Sequence, residues 1–214
     1  MTMILGLDLG QAKDYTALVV VEWLQVPTGK LLPNLTPKKE DHYHLRFLER
    51  FPLGTSYPAV VARVVELMAT PELVRQTSLV ADATGVGRPV IDLLREARLQ
   101  PIPAVIHGGA QVTCDPVTGY WGIPKRELVG TVQVLLQSKR LKFAEDLSEV
   151  KLLLDELLRF EVKITEAGTD TYGAWREGAH DDLVLATALA CWMGERAAQE
   201  RDWNVVRRLV FTRG

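Results

Sequence analysis

The chain has 214 residues, of which 47% are hydrophobic and 24% are charged, and its formal net charge is -2. This size and composition are typical of one globular domain, predicted here to span residues 1–214. The sequence predicts no membrane-spanning helix, because no apolar run reaches the roughly 18 residues that a span requires. The net charge leaves nucleic-acid binding open, since binding needs only a local basic patch.

The two cysteines, Cys114 and Cys191, lack the spacing of a zinc site. We interpret them as reduced thiols of a cytoplasmic protein, an interpretation that fits the absence of a signal-peptide pattern before the first strand.

The first quarter of the chain predicts three strands, at residues 3–9, 16–23 and 42–51. The short polar link after the first strand favours a hairpin, so that the first two strands are antiparallel neighbours. Residues 27–41 contain three prolines and several charges, and they predict either a surface loop or an extended hairpin insert.

From residue 57 onwards, strands alternate with helices. The predicted elements are a helix at 57–69, a strand at 77–82, a helix within 85–97, a strand at 102–106, a short hairpin at 112–121, and helices at 124–138 and 147–158. Residues 161–165 are a strand candidate, 169–175 a short strand or loop, and a buried helix starts near residue 180; the mixed pattern of the tail, 195–214, predicts no element. The β-α-β order favours parallel pairing. The fold class is therefore α/β: a mixed central sheet, with three antiparallel strands followed by parallel strands, and helices on both faces.

Four aspartates stand out because their neighbours are apolar. Asp8 and Asp82 each end a predicted strand, and Asp181 and Asp182 begin the apolar helix of residues 183–190. Ligands collect at the carboxyl ends of strands in α/β sheets, and the closing helix would bring the last two acids to that edge. Like charges gathered there require one or two divalent cations, and hard oxygen ligands favour Mg²⁺ or Mn²⁺.

Each of these acids also has a simpler explanation. Asp8 fits a turn, Asp82 fits the cap of the next helix, and an acidic pair is favoured at a helix start by the macrodipole. Successive helical residues point about 100° apart, so Asp181 and Asp182 cannot face one ion equally. We favour Asp182 as the main ligand, and we interpret His180 as a neighbour of the helix cap or an accessory group for the metal or a proton transfer.

Three motifs together resemble a known family, over nearly the whole chain in element order. They are Gly6-Leu7-Asp8-Leu9-Gly10 with Asp14-Tyr15-Thr16-Ala17, then Ala81-Asp82-Ala83-Thr84-Gly85-Val86-Gly87, then Gly178-Ala179-His180-Asp181-Asp182-Leu183. This set resembles the nuclease domain of the large terminase subunit of tailed phages, which has an RNase H-like fold, as do RuvC-type resolvases.

The resemblance implies a metal-dependent DNA endonuclease in which Asp8, Asp82 and one or both of Asp181 and Asp182 bind two Mg²⁺ or Mn²⁺ ions during viral genome packaging. It also implies double-stranded DNA as substrate, a packaging ATPase, small terminase subunit or portal as partners, and a phage or prophage gene expressed in the cytoplasm of a bacterial host. The sequence has no Gly-x-x-x-x-Gly-Lys-Ser/Thr motif. We therefore expect no ATPase domain, and the chain to be an excised domain, a separately encoded nuclease or a prophage remnant.

Basic residues near the acidic motifs are candidates for contacting DNA phosphates. Lys13 and Arg88 follow the first two motifs directly and are favoured over the other candidates, which are Lys125, Arg126, His107, Lys38 and Lys39.

Three other functions remain open. A RuvC-type junction resolvase would share the fold, although the net charge of -2 argues against the broad basic face of such a dimer. An inactive prophage remnant would keep the fold without the activity, although the acidic set is intact. An actin-like or sugar-kinase-like ATP binder would use the first glycine-rich turn, but the sequence lacks a second turn of that kind.

Overall fold

The computed structural model describes residues 2–10, 14–74, 77–85, 87–166 and 181–210, with side chains described except for 160–166 and 202–210. The strands are β1 (Thr2–Asp8), β2 (Ala17–Leu31), β3 (Pro37–Arg50), β4 (Thr77–Asp82), β5 (Pro101–His107), β6 (Thr113–Cys114), β7 (Trp121–Pro124) and β8 (Leu141–Phe143). The helices are α1 (Tyr57–Met68), α2 (Gly87–Glu96), α3 (Lys125–Gln137), α4 (Val150–Glu166) and α5 (Asp182–Val210).

One sheet contains all eight strands, in the order β6-β7-β5-β4-β1-β2-β3-β8. The most apolar strand, β1, is central: it pairs antiparallel with β2 on one side and parallel with β4 on the other. β2 and β3 are antiparallel, whereas β4, β5 and β7 are parallel to one another. The predicted sheet, antiparallel first and parallel afterwards, is confirmed.

The two faces of the sheet carry separate apolar clusters. Leu5 and Leu7 of β1 pack on one face together with apolar residues of α1 and α2. Ile4 packs on the other face with apolar residues of α3, α4 and α5. Because successive side chains of a strand point to opposite faces, Asp8 shares the face of Ile4 and therefore lies on the side of α5.

Helix α5 lies directly against the sheet because two glycines leave room for it. A Cβ atom on Gly6 of β1 would overlap the carbonyl oxygen of Ala186 in α5. A Cβ atom on Gly194 of α5 would overlap the ring of Tyr43 in β3. The absence of both side chains brings the first turn of α5 over the carboxyl end of β1.

Residues 27–41 form the extended hairpin, one of the two structures predicted for them. β2 and β3 stay paired from Trp23 and Tyr43 to Leu31 and Pro37, well beyond the start of β1. A turn closes the hairpin, with the Leu32 N–H donating to the carbonyl of Thr36 at 2.8 Å.

One sequence expectation is wrong, and two elements of the structure were not predicted. Residues 161–165 are not a strand, because α4 continues to Glu166. Extending a formed helix costs little, and five alternating residues do not outweigh that. The tail is helical as far as Val210. β8 has only three residues, too few to carry a recognisable periodicity.

The segment 169–175 lies outside the described residues. Among the helices that the structure describes, none is both long and apolar enough to cross a membrane.

The contact of Gly6 with α5 can be tested by substitution. We expect Gly6→Ala to lower the free energy of unfolding by about 1–3 kcal/mol, because the added methyl group forces α5 away from the sheet. Urea denaturation measures the change.

Gly130→Ala is the matched control. Gly130 lies in α3, and an added Cβ there meets no atom within 4 Å, so we expect it to be neutral or stabilising by up to about 1 kcal/mol. Equal effects of the two substitutions would show that α5 does not depend on the space at Gly6.

Candidate functional site at the carboxyl edge of the sheet

Asp8 and Asp82 lie side by side at the carboxyl ends of two parallel strands. The register pairs Leu7 of β1 with Ala81 of β4, so the residues that follow them are neighbours on the same face. Asp8 is only 6% exposed and Asp82 only 8%. Two buried carboxylates from distant parts of the sequence therefore adjoin each other.

Helix α5 brings the other two aspartates to this edge. The Leu185 N–H donates to the carbonyl of Asp181 at 2.9 Å, so Asp181 is the N-cap residue and Asp182 is the first helical residue. Asp182 is only 4% exposed. We define Asp8, Asp82, Asp181 and Asp182 as the carboxylate cluster.

The charges of the cluster act on one another. Burial raises the pKa of Asp8 well above its ordinary value, and the negative charges of Asp82, Asp182 and Asp181, in that order, raise it further. The positive charge of Lys125 opposes this rise. The four carboxylates predicted to meet therefore share one electrostatic field.

Asp182 is perturbed in the same direction. Burial, followed by the charge of Asp181, raises its pKa to about 7. The charge of Arg50 lowers this pKa, and the exposed carboxylate of Asp14 raises it. Carboxyl groups whose pKa is raised by burial and by neighbouring negative charges would be relieved by a nearby cation.

Lys125 lies against the cluster. It begins α3 directly after β7, and its Nζ is 3.2 Å from Oδ2 of Asp181. The sequence placed Lys125 among the candidates for phosphate contact; the structure places its ammonium group on a carboxylate.

The other basic candidates are dispersed. Arg126 is exposed and donates to the carbonyl oxygen of Ala110. Arg88 is exposed, with its guanidinium 5.8 Å from the centre of the Tyr120 ring. Lys13 and His180 lie outside the described residues. DNA contact by any of these groups stays a prediction.

Sequence reasoning missed two residues beside the cluster, Glu156 and Arg50. The carboxylate of Glu156 in α4 is 2% exposed, and its Oε2 accepts the N–H groups of Leu183 at 3.0 Å and Val184 at 3.2 Å. A guanidinium nitrogen of Arg50 lies 3.7 Å from its Oε1. Burial raises the pKa of Glu156 to about 7. Glu156 could have been found from its position three residues after Leu153, which places an acidic residue on the apolar side of the predicted amphipathic helix.

The position of Arg50 follows from the sheet register. Ala17 pairs with Asp8 on one side and with Arg50 on the other, so all three lie in one row across β1, β2 and β3. Side chains in such a row share a face, and the guanidinium of Arg50 therefore lies on the side of α5. Only the folded sheet reveals this neighbourhood.

The donor set fits a hard divalent cation in chemistry and charge. Among the described residues, however, no three His, Cys, Asp or Glu side chains converge closely enough to hold one ion as they stand. Asp82 also supports a turn, since its Oδ1 accepts the Thr84 N–H at 2.8 Å. Binding an ion would therefore require carboxylates of the cluster to rotate towards it.

No protein-family model matches the chain, and no curated protein sequence does so either. Among solved structures, the chain is similar to the large terminase nuclease from thermophilic phage G20c, with 23% identity and a TM-score of 0.53 over 88% of this chain and 80% of that one. It is also similar to the human cytomegalovirus terminase nuclease domain, with 14% identity and a TM-score of 0.47 over 90% and 82% of the two chains. The likeness to the phage protein shows that the two chains share a fold, which is the fold that the sequence predicts.

The raised pKa of Asp182 predicts an unusual dependence of stability on pH. A carboxyl group whose pKa is higher in the folded state stabilises the fold when protonated, and this contribution is lost as the pH rises towards about 7. Relative to an Asp182→Asn variant, we expect the parent to lose about 2–3 kcal/mol of unfolding free energy between pH 5 and pH 8. Urea denaturation with a chelator present measures this difference, and a difference that stays constant with pH would rule out the buried, charge-coupled carboxyl.

Proposed function

We propose that the chain is a metal-dependent DNA endonuclease that cuts phosphodiester bonds during viral genome packaging. One observation carries the proposal: carboxylates from three distant parts of the sequence, at the ends of β1 and β4 and at the start of α5, meet at one edge of the sheet and perturb one another. A cluster of buried carboxylates lowers the stability of the fold unless it binds cations.

In this proposal, Asp8, Asp82 and Asp182 hold the ions, and Asp181 is a further ligand or an outer partner. Two Mg²⁺ or Mn²⁺ ions would activate a water molecule and stabilise the leaving oxygen of the phosphodiester. The chain itself supplies the negative charge that binds the ions, a rigid strand edge for Asp8 and Asp82, and a helix start for the other two. The ammonium of Lys125 balances part of this charge.

The fold supports this reading, because the similar phage protein is itself a terminase nuclease. By analogy, we propose double-stranded DNA as substrate and a packaging ATPase, small terminase subunit or portal as partners. A phage- or prophage-encoded protein in the cytoplasm of a bacterial host would encounter all of these. No described contact favours a junction resolvase or an ATP binder, and an inactive remnant is one outcome of the test below.

The proposed activity can be tested with supercoiled plasmid DNA. We expect the parent to nick or linearise the plasmid when Mn²⁺ or Mg²⁺ is added, and we expect Asp82→Asn and Asp8→Asn to reduce the rate at least about 100-fold, because each removes a proposed ligand. Gel electrophoresis over time gives the rates.

Asp92→Asn is the control, because Asp92 lies on α2 with a side chain that is 68% exposed and contacts Arg95. It should cut like the parent. A parent that stays inactive with both ions, or a rate unchanged by Asp82→Asn, would refute the proposal.

A further inference from the structure

The first turn of α5 is capped by another helix. A capping side chain at the N-cap position accepts the N–H group of the second or third helical residue. Here Asp181 is the N-cap residue, and those groups belong to Leu183 and Val184. Both donate instead to Oε2 of Glu156, at 3.0 and 3.2 Å.

This arrangement leaves the carboxylate of Asp181 available for other contacts. Its Oδ2 lies 3.2 Å from Nζ of Lys125, and its charge reaches Asp8. If Asp181 capped its own helix, its oxygens would turn back towards Leu183 and Val184. An oxygen that accepts from the helix amides is turned away from the cluster, so capping by Asp181 would withdraw part of its charge from the other acids.

We propose that Glu156 is a positioning residue: it takes over the capping of α5 so that the carboxylate of Asp181 stays in the cluster. The consequence for metal binding rests on the proposed function, whereas the capping does not. The proposal also explains why a helix that already begins with two aspartates uses a third acid from α4.

Glu156 is itself held in place. A guanidinium nitrogen of Arg50 lies 3.7 Å from its Oε1, and that guanidinium lies 4.1 Å from the centre of the Tyr15 ring. The backbone N–H of Arg50 donates to Oε2 of Glu149 at 3.0 Å. Because Glu156 is almost fully buried, water does not compete for its oxygens. The end of β3 thus fixes the residue that fixes the start of α5.

A first test uses position 181 alone, with a chelator present. Ala, Ser and Asn at this position all remove the negative charge that pairs with Lys125, but only Ser and Asn can cap a helix. If Glu156 supplies the cap, Asp181→Ala, Asp181→Ser and Asp181→Asn should have the same Tm within about 1 °C. A Tm for Asp181→Ala that lies about 2–4 °C below the other two would overturn the proposal.

A second test uses Glu156. Glu156→Met has a similar volume but no oxygen, whereas Glu156→Gln keeps an acceptor for the helix amides. In the Glu156→Met background, Asp181→Ala should lower Tm by about 2–4 °C more than it does in the parent, because Asp181 then becomes the cap. In the Glu156→Gln background the excess should vanish, and additive effects in both backgrounds would contradict the proposal. The first test decides the matter if Glu156→Met does not fold.

The third readout is Mn²⁺ binding, measured by titration calorimetry. We expect Glu156→Met to weaken it about 10–100-fold and Glu156→Gln to leave it within about 3-fold. Glu195→Met is the control: Glu195 lies on α5, more than three turns beyond Asp182, and contacts Tyr43 and Arg140. It should lower Tm without changing Mn²⁺ affinity, and an equal loss of affinity in both Met variants would mean that Glu156 only stabilises the fold.

These results separate the two proposals. A non-additive Tm cycle in a parent that neither binds Mn²⁺ nor cuts DNA keeps the role of Glu156 and rejects the nuclease. Metal-dependent cutting with an additive cycle keeps the nuclease and rejects the role of Glu156.

Discussion

The close packing of α5 on β1 is the constraint on which the candidate site depends. Because Gly6 has no side chain, the backbone at Ala186 rests directly on the central strand. One turn earlier in the helix, Asp182 therefore reaches the end of the same strand, beside Asp8. A larger residue at Gly6 would move the helix axis, and the acids at its start would move with it. The geometry of the cluster is in this sense a property of the sheet-helix interface.

The carboxylate cluster works against the stability of the fold. Burial and mutual repulsion raise the pKa of Asp8 and Asp182. Keeping these groups ionised therefore costs free energy that apolar side chains at the same edge would not cost. The chain offsets part of this with Lys125 at one side of the cluster and Arg50 at the other. Full ionisation of the four acids beside two cationic neighbours would leave an excess of negative charge, which a bound cation would neutralise.

Apolar periodicity was sufficient to predict most strands, and the order of the elements was sufficient to predict the mixed sheet. Because that order determines which strand ends adjoin, it also predicted that Asp8, Asp82, Asp181 and Asp182 lie at one edge. Both were insufficient for Glu156 and Arg50, whose roles arise only when α4 and β3 pack beside the first turn of α5. The strand expected at 161–165 failed for a related reason: five alternating residues also suit the continuation of a helix, and the preceding helix decided the outcome. Lys125 was noticed as a base, but its partner Asp181 lies 56 positions away.

The two strands at the borders of the sheet have a consequence for self-association. Among the described strands, β6 has two residues and β8 has three, and they flank a sheet whose inner strands are apolar. Only Tyr43, His44 and Leu45 of the 14-residue β3 pair with β8, so among the described strands β8 leaves most of the outer edge of β3 uncovered. The uncovered part of β3 is charged, with Lys38, Lys39 and Glu40 in succession, and charges on an open strand edge discourage another chain from extending the sheet.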